Sequence, residues 1–300
     1  MTVHIVPVGL SIQDGLGSSR GSPSDATSRT NARRLLDRLI AKFAINRHRA
    51  IAALLATPRT ELFTELSGLL SPWNAKVSAE VSSLAKCEPL LDASNGVVLV
   101  ATDTDEGLMC AALNAIRMKP TLARYVDSPA ALHDVLGAVT VVRIPGMDIA
   151  NTDFTRAMRH LGELARILHD MSTMQVPPQE FEFHLSGGYK AAMPYFLAVA
   201  EGMRSLYNGT RVRANCMHEN SDALIRVPLR FFPDTFRSAM IAELTNVCEG
   251  LDPDTRGLEG YGYEFCQSEV RFELTAIGHG LLSLLPDRDS HSQDLRGNAE

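Results

Sequence analysis

Three short polar, glycine-containing segments carry the residues best suited to chemistry: Gly9-Leu10-Ser11 with Asp14 and Gly15, then Thr102-Asp103-Thr104-Asp105-Glu106-Gly107, then Ser186-Gly187-Gly188-Tyr189-Lys190. Paired glycines let backbone N–H groups approach a ligand closely, and a helix that starts after such a loop offers unpaired donors and a positive dipole end. A phosphate is the natural guest. Lys190 adds a point charge and Ser11 a hydroxyl, which together suit a phosphodiester and the charge that develops on it during reaction. Each segment also has a plainer use. Ser186-Gly187-Gly188 is what a tight strand-to-helix turn needs. The Thr102–Asp105 run fits a helix cap better than a metal site, with Asp103 or Thr104 accepting from orphan N–H groups, and its carboxylates would repel phosphate. His184 and His218 read first as structural histidines and only second as proton carriers. A Walker A loop and a dinucleotide Gly-x-Gly-x-x-Gly are both absent, so ATP hydrolysis and NAD chemistry lose their support. Neither a cofactor nor a metal is expected.

The elements that must position these segments alternate along the chain. Short β-branched runs at Val3–Val8, Val97–Ala101, Val139–Ile144, Phe181–Leu185 and Val212–Met217 predict strands. Between them, Leu35, Leu36, Leu39, Ile40 and Phe43 share one helical face, and Phe154, Met158, Leu161, Ala165 and Leu168 share another. This order predicts an α/β protein with a Rossmann-like parallel sheet covered by helices. Ligands of such sheets bind beyond the carboxyl ends of the strands, so all three polar segments, each following a strand, should face one crevice. Residues Gly15 to Asn31, rich in Gly, Ser and Thr, predict a long mobile loop after the first strand. After Pro228 the pattern changes to a helix over Met240–Val247, turns over Gly250–Gly262, a strand at Val270–Leu274 and a short helix at Ala276–Leu285. Residues 231–285 are thus expected to form a small winged-helix-like α+β appendage, and residues 286–300 a disordered tail.

Composition sets the outer limits. Three hundred residues, 45% of them hydrophobic, can bury one large core or two modest ones. A formal charge of −6 argues against a nucleic-acid coat or a polybasic membrane binder, so any polyanion must be met by a local site. The apolar run Gly96–Ala101 is far short of the ~20 residues of a membrane span. The run Met1–Leu10 lacks the charged start and cleavage site of a signal peptide, and a cytoplasmic chain without membrane contact is expected. Five widely spaced cysteines with no Cys-x-x-Cys suggest buried thiols rather than disulfides or a zinc knuckle.

Taken in order, Val8-Gly9-Leu10-Ser11, Ser78-Ala79-Glu80 at a helix start, Thr102-Asp103-Thr104 with Gly107, Leu185-Ser186-Gly187-Gly188-Tyr189-Lys190-Ala191 with Pro194, and His218-Glu219-Asn220-Ser221 followed by Leu224-Ile225 and Pro228 resemble the CARF domains of type III CRISPR ancillary proteins. The resemblance spans residues 1–230, and its most specific part is the Gly-Gly-aromatic-Lys with its downstream proline. Leu10 departs from it, since threonine is common there. The resemblance implies a Rossmann-like homodimer that binds a cyclic oligoadenylate across its two-fold axis, a ring symmetry that suits two identical half-sites. Implied ligand contacts are Gly9, Leu10, Ser11 and Ile12 from the first segment, Thr102 and Asp103 from the second, and Ser186, Gly187, Gly188, Tyr189 and Lys190 from the third. Ser11 and Lys190 are the implied catalytic pair of a ring nuclease, Lys190 binding phosphate and Ser11 orienting through its hydroxyl.

Relatives differ in what is attached. Arg213-x(4)-His218 matches the Arg-x(4–6)-His of attached ribonucleases, but it falls on a predicted strand, and the chain beyond it is too short for a helical nuclease domain of ~100 residues or more. The expectation is therefore a ring nuclease that switches off the antiviral signal. The alternative is a non-catalytic sensor acting on transcription or a partner through residues 231–285. DNA binding by that segment is disfavoured by charge, because 238–285 holds only Arg256 and Arg271 against several acids.

Overall fold

The computed structural model describes residues 2–17, 26–56, 60–70, 75–87, 95–148, 153–173, 180–207, 210–217 and 223–285. Strand β1 (Thr2–Pro7) leads to helices α1 (Ser11–Gly17), α2 (Ala26–Ala56), α3 (Glu61–Leu70) and α4 (Ala79–Leu84). Then follow β2 (Asn95–Ala101), α5 (Asp105–Met118), β3 (Ala123–Val126), β4 (Val139–Arg143), α6 (Thr155–Thr173), β5 (Glu180–His184), α7 (Met193–Leu206), β6 (Arg211–Met217) and β7 (Leu224–Val227). These strands form one seven-stranded sheet in the order β3-β4-β2-β1-β5-β6-β7, parallel except for β7.

The central strands are largely apolar because both faces are covered, which is the condition for a parallel sheet. Val3, Ile5, Val98, Val100, Phe181 and Phe183 pack against α6 and α7. Val6, Val97, Leu99, Val139 and Val141 pack against the helices on the opposite face. All five strands predicted from β-branched runs are present, each within one or two residues of its expected limits. The short edge strands β3 and β7 are additional. Neither carries a long apolar run: Arg124 interrupts β3, and Ile225 on β7 is 51% exposed.

The stretch Gly15–Asn31 departs from expectation. Residues 15–17 close α1 and Ala26–Asn31 open α2, while residues 18–25 lie outside the described residues. Ile12 and Leu16, one turn apart and both buried, anchor α1. Two apolar residues are too few to show as a periodic pattern, and packing of α2 on α5 overrides the weak helix propensity of its Ser and Thr residues.

The C-terminal part consists of α8 (Asp234–Cys248), the hairpin β8 (Tyr263–Cys266) and β9 (Arg271–Leu274), and α9 (Ala276–Ser283). The small α+β appendage thus exists, with one strand more than the sequence suggested. Its centre is the buried Glu243, which accepts from the Tyr263 hydroxyl at 2.7 Å, the Leu258 N–H at 3.1 Å, the Gly257 N–H at 3.3 Å and the Thr255 hydroxyl. Met240, Leu244, Leu281 and Leu284 continue the core beneath α6 and α7, and the Tyr207 hydroxyl donates to the Leu284 carbonyl. The tail 286–300 lies outside the described residues. No helix among the described residues is long and apolar enough to cross a membrane.

Candidate functional site

Strands β1 and β5 are neighbours, yet the chain leaving β1 goes to β2 on one side and the chain leaving β5 goes to β6 on the other. Such a switch point opens a crevice at the carboxyl ends of the two strands. The loops that border it are Gly9-Leu10-Ser11 and Ser186–Lys190. They touch: a Cβ on Gly9 would stand 2.9 Å from the Gly188 carbonyl oxygen, and one on Gly188 would stand 2.7 Å from Pro7 Cβ. Gly188 also has φ +93°, a left-handed conformation that side chains disfavour. The Ser186 hydroxyl accepts from the Met217 N–H at 2.7 Å, tying the second loop to β6.

Beneath both loops lies Glu80, on the first turn of α4 and fully buried. Its Oε1 accepts from the Gly9 N–H at 2.8 Å and the Gly188 N–H at 3.3 Å. Its Oε2 accepts from the Ser78 hydroxyl at 2.7 Å and from the Ser11 hydroxyl. Ser11 Oγ in turn accepts from the Ala79 N–H at 3.1 Å, and Ser78 caps α4 by accepting from the Val81 N–H at 3.2 Å. A carboxylate from within the chain therefore takes the donors that glycine loops and a serine would offer to an external anion. The expected Ser11 is at the crevice, but its proton is engaged with Glu80. Glu80 begins a predicted helix, yet its centrality was not foreseen, because a glutamate in a polar stretch reads as surface. The one available signal is the Ser-x-Glu at the helix start, a spacing that lets both side chains turn back onto the same end.

The third loop follows β2, the other neighbour of β1. Here Thr104, not Asp103, caps the helix, accepting from the Gly107 N–H at 3.1 Å, and it shares a hydrogen bond with Thr102 Oγ1 at 3.0 Å. Asp103 is engaged elsewhere, by Arg143 Nη1 at 2.8 Å and the Gly146 N–H at 3.0 Å, which couples the ends of β2 and β4. Thr104→Ala is expected to cost about 1 kcal/mol through the lost cap, read as a lower urea midpoint at unchanged slope.

Of the remaining expected contacts, Lys190 is exposed and holds no ion pair among the described residues. Leu10, in the loop after β1, is 47% exposed and places an apolar side chain at the position where the resembling domains commonly carry threonine. The Tyr189 ring stacks on Phe154 at 6.0 Å, and Phe154 on Tyr195 at 4.9 Å, which fixes the loop against α7. Ile12 is fully buried in the core, so its side chain offers no contact to a ligand. Gly187 approaches Glu80 so closely that a Cβ would stand 2.4 Å from Oε1.

His184 does not join Lys190. It lies fully buried on the sheet face under α4, where its Nε2 is 3.0 Å from His4 Nδ1 and its Nδ1 is 2.8 Å from Ser83 Oγ. Burial, and then the neighbouring His4, push its pKa down to about 3, so the ring is neutral, as a structural histidine should be. Burial lowers His4 as well, against the pull of Glu182. The Cys87 thiol next to them is pushed up to about 12 by burial and by Glu182. His4, Cys87, Glu182 and His184 are a group of the described residues able to hold a metal. Arg213 is on β6, where a strand was expected, and His218–Ser221 lie outside the described residues.

Fold and site together define a class: an open, mostly parallel α/β sheet with two interlocked glycine loops and a lysine at its switch point. The chain matches no protein-family model and no curated protein.

Proposed function

We propose that this chain binds a cyclic oligoadenylate, most simply cyclic tetra-adenylate, across the two-fold axis of a homodimer, and cleaves it without a metal, so that it switches off type III CRISPR antiviral signalling. What carries the proposal is the meeting of the Gly9 and Gly188 loops over Glu80 at the switch point, with the Lys190 ammonium exposed beside them. A ring of phosphodiesters needs a local positive site on an otherwise acidic chain, and Lys190 supplies it. The exposed Leu10 and the packed Tyr189 offer apolar surface to adenine faces.

In the reaction, a ribose 2′-hydroxyl gives its proton to water as its oxygen attacks the adjacent phosphorus in line, the P–O5′ bond breaks, and O5′ departs taking a proton from water. The product is a linear chain ending in a 2′,3′-cyclic phosphate. The protein's part is to hold the attacking and leaving oxygens in line and to offset charge on the phosphoryl oxygens, the task of Lys190. Ser11 orients the ring only if its hydroxyl trades Glu80 for the ligand. That engagement favours a second reading, a sensor that binds the ring intact and signals through residues 231–285.

Stoichiometric protein incubated with cyclic tetra-adenylate or cyclic hexa-adenylate, in EDTA and in parallel in metal-free buffer without chelator, is expected to yield the linear product by chromatography. An intact ring after long incubation contradicts cleavage and leaves the sensor. Lys190→Ala is expected to weaken ring binding about tenfold by calorimetry, the loss of one charge-assisted contact. Unchanged affinity removes Lys190 from the site.

A further inference from the structure

His4 on β1 stands opposite Glu182 on β5 in the parallel register, and His184 follows two residues later, so all three side chains project from the same face of the sheet. Further along the same face β1 and β2 carry apolar side chains, Val6, Val97 and Leu99, whereas at this end the face is polar and lines a cavity with Glu180, Arg213 and Asn215. Cys87, just beyond α4, reaches the same point. One donor atom from each of the four residues lies within 4.8 Å of all the others. His4 Nδ1 is 3.0 Å from His184 Nε2 and 3.5 Å from Glu182 Oε2. Glu182 Oε2 is in turn 3.6 Å from Cys87 Sγ and 3.9 Å from His184 Nε2. A tetrahedral zinc ion with bonds of about 2.0–2.3 Å spaces its ligand atoms about 3.3–3.8 Å apart, so the group needs only small shifts to close around one.

We propose that His4, Cys87, Glu182 and His184 form a four-coordinate structural site for a zinc-type divalent ion. The donor set of two imidazoles, one thiolate and one carboxylate is borderline-soft, as zinc prefers, and with four protein ligands the site is closed rather than catalytic. Charge balances within it: a thiolate and a carboxylate neutralise a divalent ion, and the imidazoles are neutral. The surroundings fit as well. Ser83 Oγ bonds the ring nitrogen of His184 that faces away from the group, which orients the ring. Arg213 Nη1 approaches the other oxygen of Glu182 at 3.5 Å, leaving Oε2 for the ion. A surface cavity of about 440 Å³ lined by His4, Cys87, Glu182 and Arg213 gives the ion a way in and the Cys87 proton a way out. The ion would fasten the chain after α4 to β1 and β5. Helix α4 would then be held at both ends, by Glu80 under the loops and by Cys87 at the metal. This inference goes beyond the cyclic oligoadenylate and does not depend on it.

The full chain, stripped of metal with a chelator and titrated with Co²⁺, tests it. The expected result is uptake of one cobalt per chain, with the intense ligand-field bands of four-coordinate cobalt and a thiolate-to-cobalt charge-transfer band. Cys87→Ser, half-buried and conservative, is expected to keep the native far-ultraviolet dichroism and lose the charge-transfer band. Ser83→Ala is expected to weaken cobalt affinity about tenfold to a hundredfold. Absence of saturable cobalt uptake by the native chain, or a charge-transfer band that survives in Cys87→Ser, overturns the proposal.

Discussion

Glu80→Ala is expected to destabilise the chain by about 3–5 kcal/mol and to abolish ring binding. The side chain is 0% exposed and accepts from two backbone N–H groups and two hydroxyls. The hydroxyls can adapt. Ser78 already reaches Asn114 Oδ1 at 2.6 Å, and Ser11 sits near the surface. The Gly9 and Gly188 N–H groups cannot rotate toward anything else, and a buried donor left unsatisfied costs about 1–3 kcal/mol. The cavity left by the missing side chain adds to this. Because those two N–H groups belong to the loops that meet at the switch point, their release loosens the site together with the fold. Glu80→Gln should lose less. Its amide oxygen can replace Oε1 under the glycines, while its NH₂ faces hydroxyls that must turn to accept. Urea unfolding monitored by far-ultraviolet dichroism separates the two: an alanine variant with the native midpoint would show that the loops hold without the carboxylate.

Gly162→Val on α6 is expected to cost about 3 kcal/mol and to lower the thermal midpoint by roughly 5–10 °C. Helices α6 and α9 cross at this glycine, where a Cβ would stand 2.1 Å from the Gly280 carbonyl oxygen and 2.8 Å from Ser283 Cβ. The nearer obstacle is backbone, so no rotamer change relieves the clash and α9 must move away. Gly280 is equally constrained from the other side, with Met158 Cε 2.5 Å from where its Cβ would be. Displacing α9 uncovers Leu281 and Leu284, and the C-terminal part should become sensitive to protease well below the midpoint. Native resistance and an unchanged midpoint would show that the crossing is slack.

Strands β2 and β4 were legible because they are buried on both faces and so carry largely β-branched apolar runs, as Val97–Ala101 does. The positions of the three loops follow from the strand ends, and the Ser78 cap and the Thr104 cap could be expected from their residue types. Other features run against the usual pattern. Glu80 and Glu243 are charged residues used as internal acceptors, and apart from the Ser-x-Glu spacing at Glu80 their neighbours do not mark them as buried. The Glu-Phe-Glu-Phe-His alternation of β5 reads as one polar, solvent-facing side, yet Glu182 and His184 on that side are covered, and His4 of β1 is buried beside them. Strand β8 is hidden by the glycines and charges around Tyr263 and Phe265, whereas its partner β9 matches the strand expected at Val270–Leu274. The role of Ser11 depends on a partner 69 residues away in sequence, a distance over which local pattern carries no information.

The most direct test of the central claim is the stoichiometry of ring binding. Cyclic tetra-adenylate titrated into the native protein in a calorimeter, with the mass of the complex measured by sedimentation, should saturate at one ring per two chains and leave a dimer. Absence of saturable binding to cyclic tetra-adenylate and to cyclic hexa-adenylate would contradict it.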